Sequence, residues 1–250
     1  MKSVFSLKKL FILVLTAVII VVSISYVTFR RAKIAVANNV TILCYGDSNT
    51  YGFDPNTDGD PYPEDIIWTT ILQKELGEGY NVISEGKKGR TTIYDRPDHV
   101  NKNGLGHLGP ALALHTPVDF IVLMLGTNDC ASDMNLTAEE IAYGMEKLVD
   151  TAKRASFNMQ GYEPKIILIA PPAILPELEG TTFEHRIDQT SVEKSQALAP
   201  LYKQIAEKYG CLFLDMTYGI DISPLDCVHL TEEGHSQLAE FILPIIKENT

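Results

Sequence analysis

Val40-Thr41-Ile42-Leu43-Cys44-Tyr45-Gly46-Asp47-Ser48 is an apolar, β-branched run that ends in a Gly-Asp-Ser turn. Such a run reads as a strand buried on both faces, and the turn after it begins a helix that a polar residue caps. By itself the tripeptide is an ordinary strand-to-helix turn. Two distant segments change its meaning: Gly126-Thr127-Asn128-Asp129 and Asp226-Cys227-Val228-His229 also follow or lie near strand-like runs. In an open α/β sheet the functional crevice lies beyond the carboxyl ends of the strands. Together the three segments hold a serine nucleophile, donors for an oxyanion, and a histidine base with a carboxylate to orient it.

Residues 80–83, 118–125, 165–170 and 211–214 are further short apolar runs, and 66–76, 138–155, 192–209 and 232–246 show helical spacing. Alternating strands and helices predict a three-layer α/β/α fold with a central, mostly parallel sheet of about five strands. The first strand leads directly into Ser48, which argues against the α/β-hydrolase fold. That fold places several strands before a Gly-x-Ser-x-Gly elbow, and here Thr50 stands at the last glycine position.

A serine hydroxyl attacks poorly until a neighbouring base takes its proton, so Ser48 needs an imidazole. His229 is the candidate, with Asp226 fixing its tautomer; two intervening residues let one loop carry both. The motifs and their order resemble the SGNH hydrolase family, also called the GDSL esterases, from about Val40 to the C-terminus. The first block is Gly46-Asp47-Ser48, the second the glycine of Ser84-Glu85-Gly86, the third Gly126-Thr127-Asn128-Asp129 and the fifth Asp226-Cys227-Val228-His229. Trp68 in Ile67-Trp68-Thr69, the Gly89-Arg90-Thr91-Thr92 stretch and Met124-Leu125 before the third block are most similar to the arylesterase and acyltransferase branch. The resemblance implies a flavodoxin-like SGNH fold and a serine esterase that cuts small carboxylic esters without a cofactor, with acyl transfer to alcohols as a second outcome. It implies catalytic Ser48, Asp226 and His229, and an oxyanion hole of the Ser48 and Gly86 backbone N–H groups and the Asn128 amide. Gly89 competes with Gly86 for that role. The branch also suggests a homo-oligomer.

The chain has 250 residues and a net charge of −11. Six of its 21 basic residues and none of its 32 acidic ones lie within the first 37, leaving the remainder at −17. That balance argues against nucleic acid and polyanions as ligands, because a phosphate backbone needs a basic footprint; a neutral or cationic substrate is easier to accommodate. Residues 10–29 carry no charge, and twenty helical residues span roughly 30 Å, the thickness of a bilayer core. Residues 1–37 therefore read as one transmembrane helix with a short linker, and 38–250 as the hydrolase domain. The expected location is the cell membrane, with the domain outside. Lys2, Lys8 and Lys9 nearly balance Arg30, Arg31 and Lys33, so flanking charge does not orient it. The rival is a signal peptide cleaved near Ala37 and secretion, since Ala35-Val36-Ala37 offers small residues.

No metal site is expected: Cys44, Cys130, Cys211 and Cys227 lack Cys-x-x-Cys spacing, and His99, His107, His115, His185 and His235 lack His-Glu-x-x-His spacing. A disulfide between Cys130 and Cys227 stays open. Asp54-x-Asn56-x-Asp58-Gly59 matches part of a calcium loop, but Pro61 and Pro63 interrupt it and no helix precedes it, so it reads as a rim loop. Tyr51, Phe53, Trp68 and Tyr94 are candidates to line a pocket. Two other functions compete: O-deacetylation of envelope or dietary polysaccharide, with an acetylated glycan as substrate, and a catalytically silent surface-binding module.

Overall fold

Strands β1 (Val40–Gly46), β2 (Tyr80–Gly86), β3 (Phe120–Met124), β4 (Lys165–Ala170) and β5 (Leu212–Asp215) lie parallel in the order β2-β1-β3-β4-β5. The computed structural model describes residues 14, 16–23, 25, 39–57, 59–96 and 100–250. The chain divides into two units between Asn39 and Val40. In the second unit the strands alternate with α1 (Ser48–Tyr51), α2 (Trp68–Leu76), α3 (Gly104–His115), α4 (Ala138–Gln160), α5 (Gln189–Tyr209) and α6 (Glu232–Glu248). The chain steps from β1 outward to β2, then crosses back over β1 to β3 and on to β4 and β5 on the other side, which makes the gap beyond β1 and β3 the switch point where ligands bind.

Side chains alternate across the sheet and divide the core in two. Leu43, Tyr45, Ile121 and Leu123 face α3, α4 and α5, where Leu112, Met145, Leu148 and Leu198 meet them. Ile42, Cys44, Phe120 and Val122 face α2 and α6, against Trp68, Leu72, Leu238 and Ile242. All five residues of β3 are buried, whereas the edge strands β2 and β5 are only partly covered. Each aliphatic side chain fully buried here contributes about 1.5–3 kcal/mol, so the central strands anchor the unit.

Helix α3 is an addition to the expected elements. Gly104, Gly106, Gly109 and Pro110 all disfavour a helix, which hides it from propensity. It forms because Asn103 caps it, its Oδ1 accepting the Gly106 amide at 2.8 Å, and because Leu108, Ala111 and Leu112 reach the core. The longer helices end as their sequences suggest: Thr137 and Glu140 form a capping box on α4, and Gly161 closes it at φ +85°.

In the first unit, residues 14, 16–23 and 25 are helical, and Val14, Val18, Ile19, Ile20, Val21 and Val22 are exposed. Among the described residues no helix is long and apolar enough to cross a membrane. The rest of the expected 10–29 span, and Ala35 to Ala37, lie outside the described residues.

Candidate active site

β1 delivers Ser48 to the switch point as the first residue of α1, where the Asp47 side chain caps the helix by accepting the Asn49 amide at 3.0 Å. Ser48 is 7% exposed. His229 and Asp226 come from the loop between β5 and α6. The Ser48 Oγ lies 2.8 Å from His229 Nε2, and His229 Nδ1 lies 2.6 Å from Asp226 Oδ2. An ionised carboxylate can only accept, so it places the proton on Nδ1 and leaves Nε2 to take the serine hydroxyl. The three expected residues therefore form one hydrogen-bonded line.

The loop is shaped for this meeting. Asp226 Oδ1 accepts the Val228 and His229 amides, each at 3.0 Å, while Cys227 between them takes a left-handed φ of +64°. A non-glycine residue in that region costs about 1–3 kcal/mol and clusters at functional sites. Burial pushes the Asp226 carboxyl up, but the His229 ring, its charge and the two amides outweigh burial and hold Asp226 below its ordinary value. The carboxylate stays ionised where it is needed.

Asn49, absent from the expected site, ties the two halves together. Its Oδ1 accepts the Leu230 amide and its Nδ2 donates to the Val228 carbonyl, while its own carbonyl accepts the Trp68 indole N–H at 3.2 Å. Phe53 stacks on the His229 ring with centroids 4.0 Å apart and planes 18° apart. Of the four candidate pocket aromatics only Phe53 lines the cavity. Trp68 is fully buried, Tyr94 Oη donates to the Glu140 carbonyl, and the Tyr51 ring lies beneath Lys88.

A cavity of about 330 Å³ opens over Ser48 and His229, walled by Gly89, Thr127, Asn128, Phe53, Phe183 and Ile187, with Lys88, Arg96, Lys102 and Arg186 also lining it. Asn128 therefore borders the same space as Ser48, and its Nδ2 donates one hydrogen to the Arg90 carbonyl at 3.1 Å. Gly86 is not a lining residue. A Cβ there would meet the Tyr51 nitrogen at 2.2 Å and the Thr50 carbonyl carbon at 2.4 Å, so the second-block glycine is needed for β2 to pass beneath α1. Gly89, at φ +73°, lines the cavity instead. Of the two glycines weighed for the oxyanion hole, Gly89 thus faces the cavity and Gly86 packs beneath α1; three residues separate them in sequence, and only packing tells them apart.

Two buried carboxyls stand behind this wall. Thr92 donates its amide at 3.0 Å and its hydroxyl at 2.6 Å to Asp129; burial raises Asp129 to about 7 and Asp47 to about 6. The other histidines are occupied elsewhere. His235 is buried at the start of α6, where burial and then the nearby His229 charge lower it to about 4; His115 meets Glu85 at 2.9 Å, His107 meets the Asn101 carbonyl and His185 is exposed. His99 lies outside the described residues. All four cysteines are free thiols, so Cys130 and Cys227 are unpaired. Among the described residues no His, Cys, Asp and Glu cluster suits a metal ion. In the rim loop Asp54 Oδ1 accepts from the backbone and side chain of Asn56.

The model of the GDSL-like Lipase/Acylhydrolase family matches residues 44–237. Est24, a carbohydrate acetylesterase from Sinorhizobium meliloti, is 33% identical over 85% of this chain and 100% of its own, with a TM-score of 0.79. The M. smegmatis aryl esterase is 32% identical over 81% of this chain and 98% of its own, with a TM-score of 0.74. A lipase/acylhydrolase from Enterococcus faecalis shares the fold at 20% identity, over 84% of this chain and 96% of its own, with a TM-score of 0.60. No curated protein matches.

Proposed function

The chain belongs to the GDSL-like lipase/acylhydrolase family of serine ester hydrolases, and on that premise we propose that it cuts small carboxylic esters through an acyl-Ser48 intermediate. The observation that carries this reading is the line Asp226, His229, Ser48 at the floor of the cavity. Ser48 Oγ attacks the ester carbonyl while its proton passes to His229 Nε2, and Asp226 holds the imidazolium that results. The oxyanion meets the Ser48 and Gly89 amides and the second N–H of the Asn128 side chain, each worth about 10²–10³ in kcat. His229 returns the proton to the leaving alcohol. Water, or a second alcohol, then attacks the acyl-serine with the same base.

The test is Ser48→Ala assayed with a chromogenic acetate ester alongside fluorophosphonate labelling of the wild type. Activity should fall by at least about 10⁴-fold and the label should sit on Ser48; retained turnover in the variant sinks the reading. O-deacetylation of a carbohydrate is the second reading, favoured by the likeness to Est24. Acetate release from acetylated glycans, measured against simple aryl acetates, separates the two.

The uncharged run at residues 10–29 supports a membrane anchor with the hydrolase domain outside the cell. Protease treatment of intact cells should release that domain; a domain left untouched argues against the topology, and a mature N-terminus near Asn38 argues for secretion instead. A homo-oligomer, proposed on the branch resemblance alone, is tested by light scattering.

A further inference from the structure

We propose that the preferred substrate carries an anionic group, a carboxylate or phosphate seated against Lys88 and Lys102 on the cavity wall. This deepens the esterase reading and rests on it.

The stretch from Lys87 to Lys102 holds Lys87, Lys88, Arg90, Arg96 and Lys102 but only Asp95 and Asp98 as acids, in a chain whose net charge is −11. The fold turns this local excess toward the cavity: Lys88, Arg96 and Lys102 line it, with Arg186 opposite in sequence, and no lining residue among those described is a carboxylate. Arg186 is already matched by Asp133 at 3.3 Å, and Arg96 has partners of its own. That leaves Lys88 and Lys102 to meet an anion. Lys88 Nζ donates to the Gly59 carbonyl at 2.8 Å, and Lys102 Nζ donates to the Lys88 carbonyl at 2.9 Å. These bonds hold both ammonium groups in place, and among the described residues neither is paired with a carboxylate.

Like charge is crowded here. Burial, then the charges of Lys87, Arg96, Lys88 and Arg90, lower Lys102 from its ordinary value, a strain that an incoming anion relieves. The chain's overall negative charge does not cancel the attraction, because charges farther than the Debye length of about 8 Å are largely screened at physiological salt. The choice of substrate is set by the charges at the cavity rather than by the total. An anionic substrate departs from the neutral or cationic one that the total charge alone suggests.

Two matched pairs of esters test this on the full chain: 4-acetoxybenzoate against 4-acetoxybenzamide, and an aryl adipate half-ester against its adipamide counterpart. The first pair places the charge on the alcohol side and the second on the acyl side. At low ionic strength kcat/KM should favour the anionic member of at least one pair by about tenfold, and the ratio should shrink to under about threefold in 0.5 M salt. The double variant Lys88→Gln with Lys102→Gln, which keeps side-chain hydrogen-bond donors, should bring the ratio toward one. Should that variant fail to fold, the salt dependence of the wild-type ratio decides alone. Equal kcat/KM within both pairs at low salt overturns the inference and leaves the esterase standing; no turnover of any of the four overturns the esterase reading and this inference with it.

Discussion

The Asn49 Oδ1 accepts the Leu230 amide at 3.0 Å, joining residues 181 positions apart. Because the same side chain donates to the Val228 carbonyl at 3.3 Å, it grips the residues on both sides of His229. The residue after the proposed nucleophile thereby sets the position of the proposed base. Asn49→Ala leaves a buried donor and acceptor unmatched, at about 1–3 kcal/mol each, and lets the ring drift. A misplacement of about 1 Å costs roughly 10²-fold, so kcat should fall about 10- to 100-fold with KM little changed. Steady-state kinetics checks this, together with the rate of fluorophosphonate labelling; a wild-type kcat would refute it.

The two glycines after β2 should respond differently to a methyl group. At Gly86 the added Cβ runs into the backbone of Thr50 and Tyr51, whereas at Gly89 its nearest neighbour is Arg96 Nη1 at 3.0 Å, the far end of a flexible side chain. Gly86→Ala should lose about 3 kcal/mol or more, and Gly89→Ala about 1–2 kcal/mol for its left-handed backbone. Urea midpoints in the reverse order would contradict the packing described here.

Asp129 and Asp47 should each draw stability down as pH rises from about 4 toward 7, while His235, lowered to about 4, draws it up over much of the same window. The buried Asp129 and Asp47 carboxyls are raised to about 7 and about 6, so across that window the native state keeps protons that the unfolded chain has released. Binding more protons when folded means that unfolding becomes easier with rising pH. Asp129→Asn should shift the slope of stability against pH upward by up to about 1.4 kcal/mol per pH unit. Urea unfolding at pH 5, 6 and 7 gives the slopes, and an unaltered slope in the variant would remove Asp129 as the cause.

The thiols should be inert while the protein is folded. Burial raises Cys44, Cys130, Cys211 and Cys227, Cys211 to about 11, and the thiolate is the reactive form. A thiol-reactive dye should label the native protein slowly and reach all four cysteines in urea. Fast labelling of Cys227 in the native protein would mean that the loop bearing His229 opens readily.

Much of the architecture is legible in the sequence because parallel strands covered on both faces need unbroken apolar runs, and β1, β3 and β4 have them. Helix α3 is not legible, since its glycines and Pro110 speak against it and only Asn103 and the core side chains support it. The line of Ser48, His229 and Asp226 is legible because each residue type has a distinct chemical task. Asn49 is not: both its partners are backbone groups more than 170 positions away, and no spacing in the sequence announces them. Trp68 reads from sequence as a pocket candidate, yet a large ring with one N–H suits a buried site with a single acceptor, which the Asn49 carbonyl supplies.

On the proposed roles, the separation of Ser48 from His229 along the chain also sets when a catalyst can form. A ribosome that has made residue 48 must add 181 more before the histidine is in hand, and at about 5–20 residues per second that takes on the order of ten seconds or more. Until then the emerging polypeptide displays a serine with no base to activate it. A chain that ends before His229 has no base for Ser48 on those roles, and turnover would report that the last loop and helix have docked.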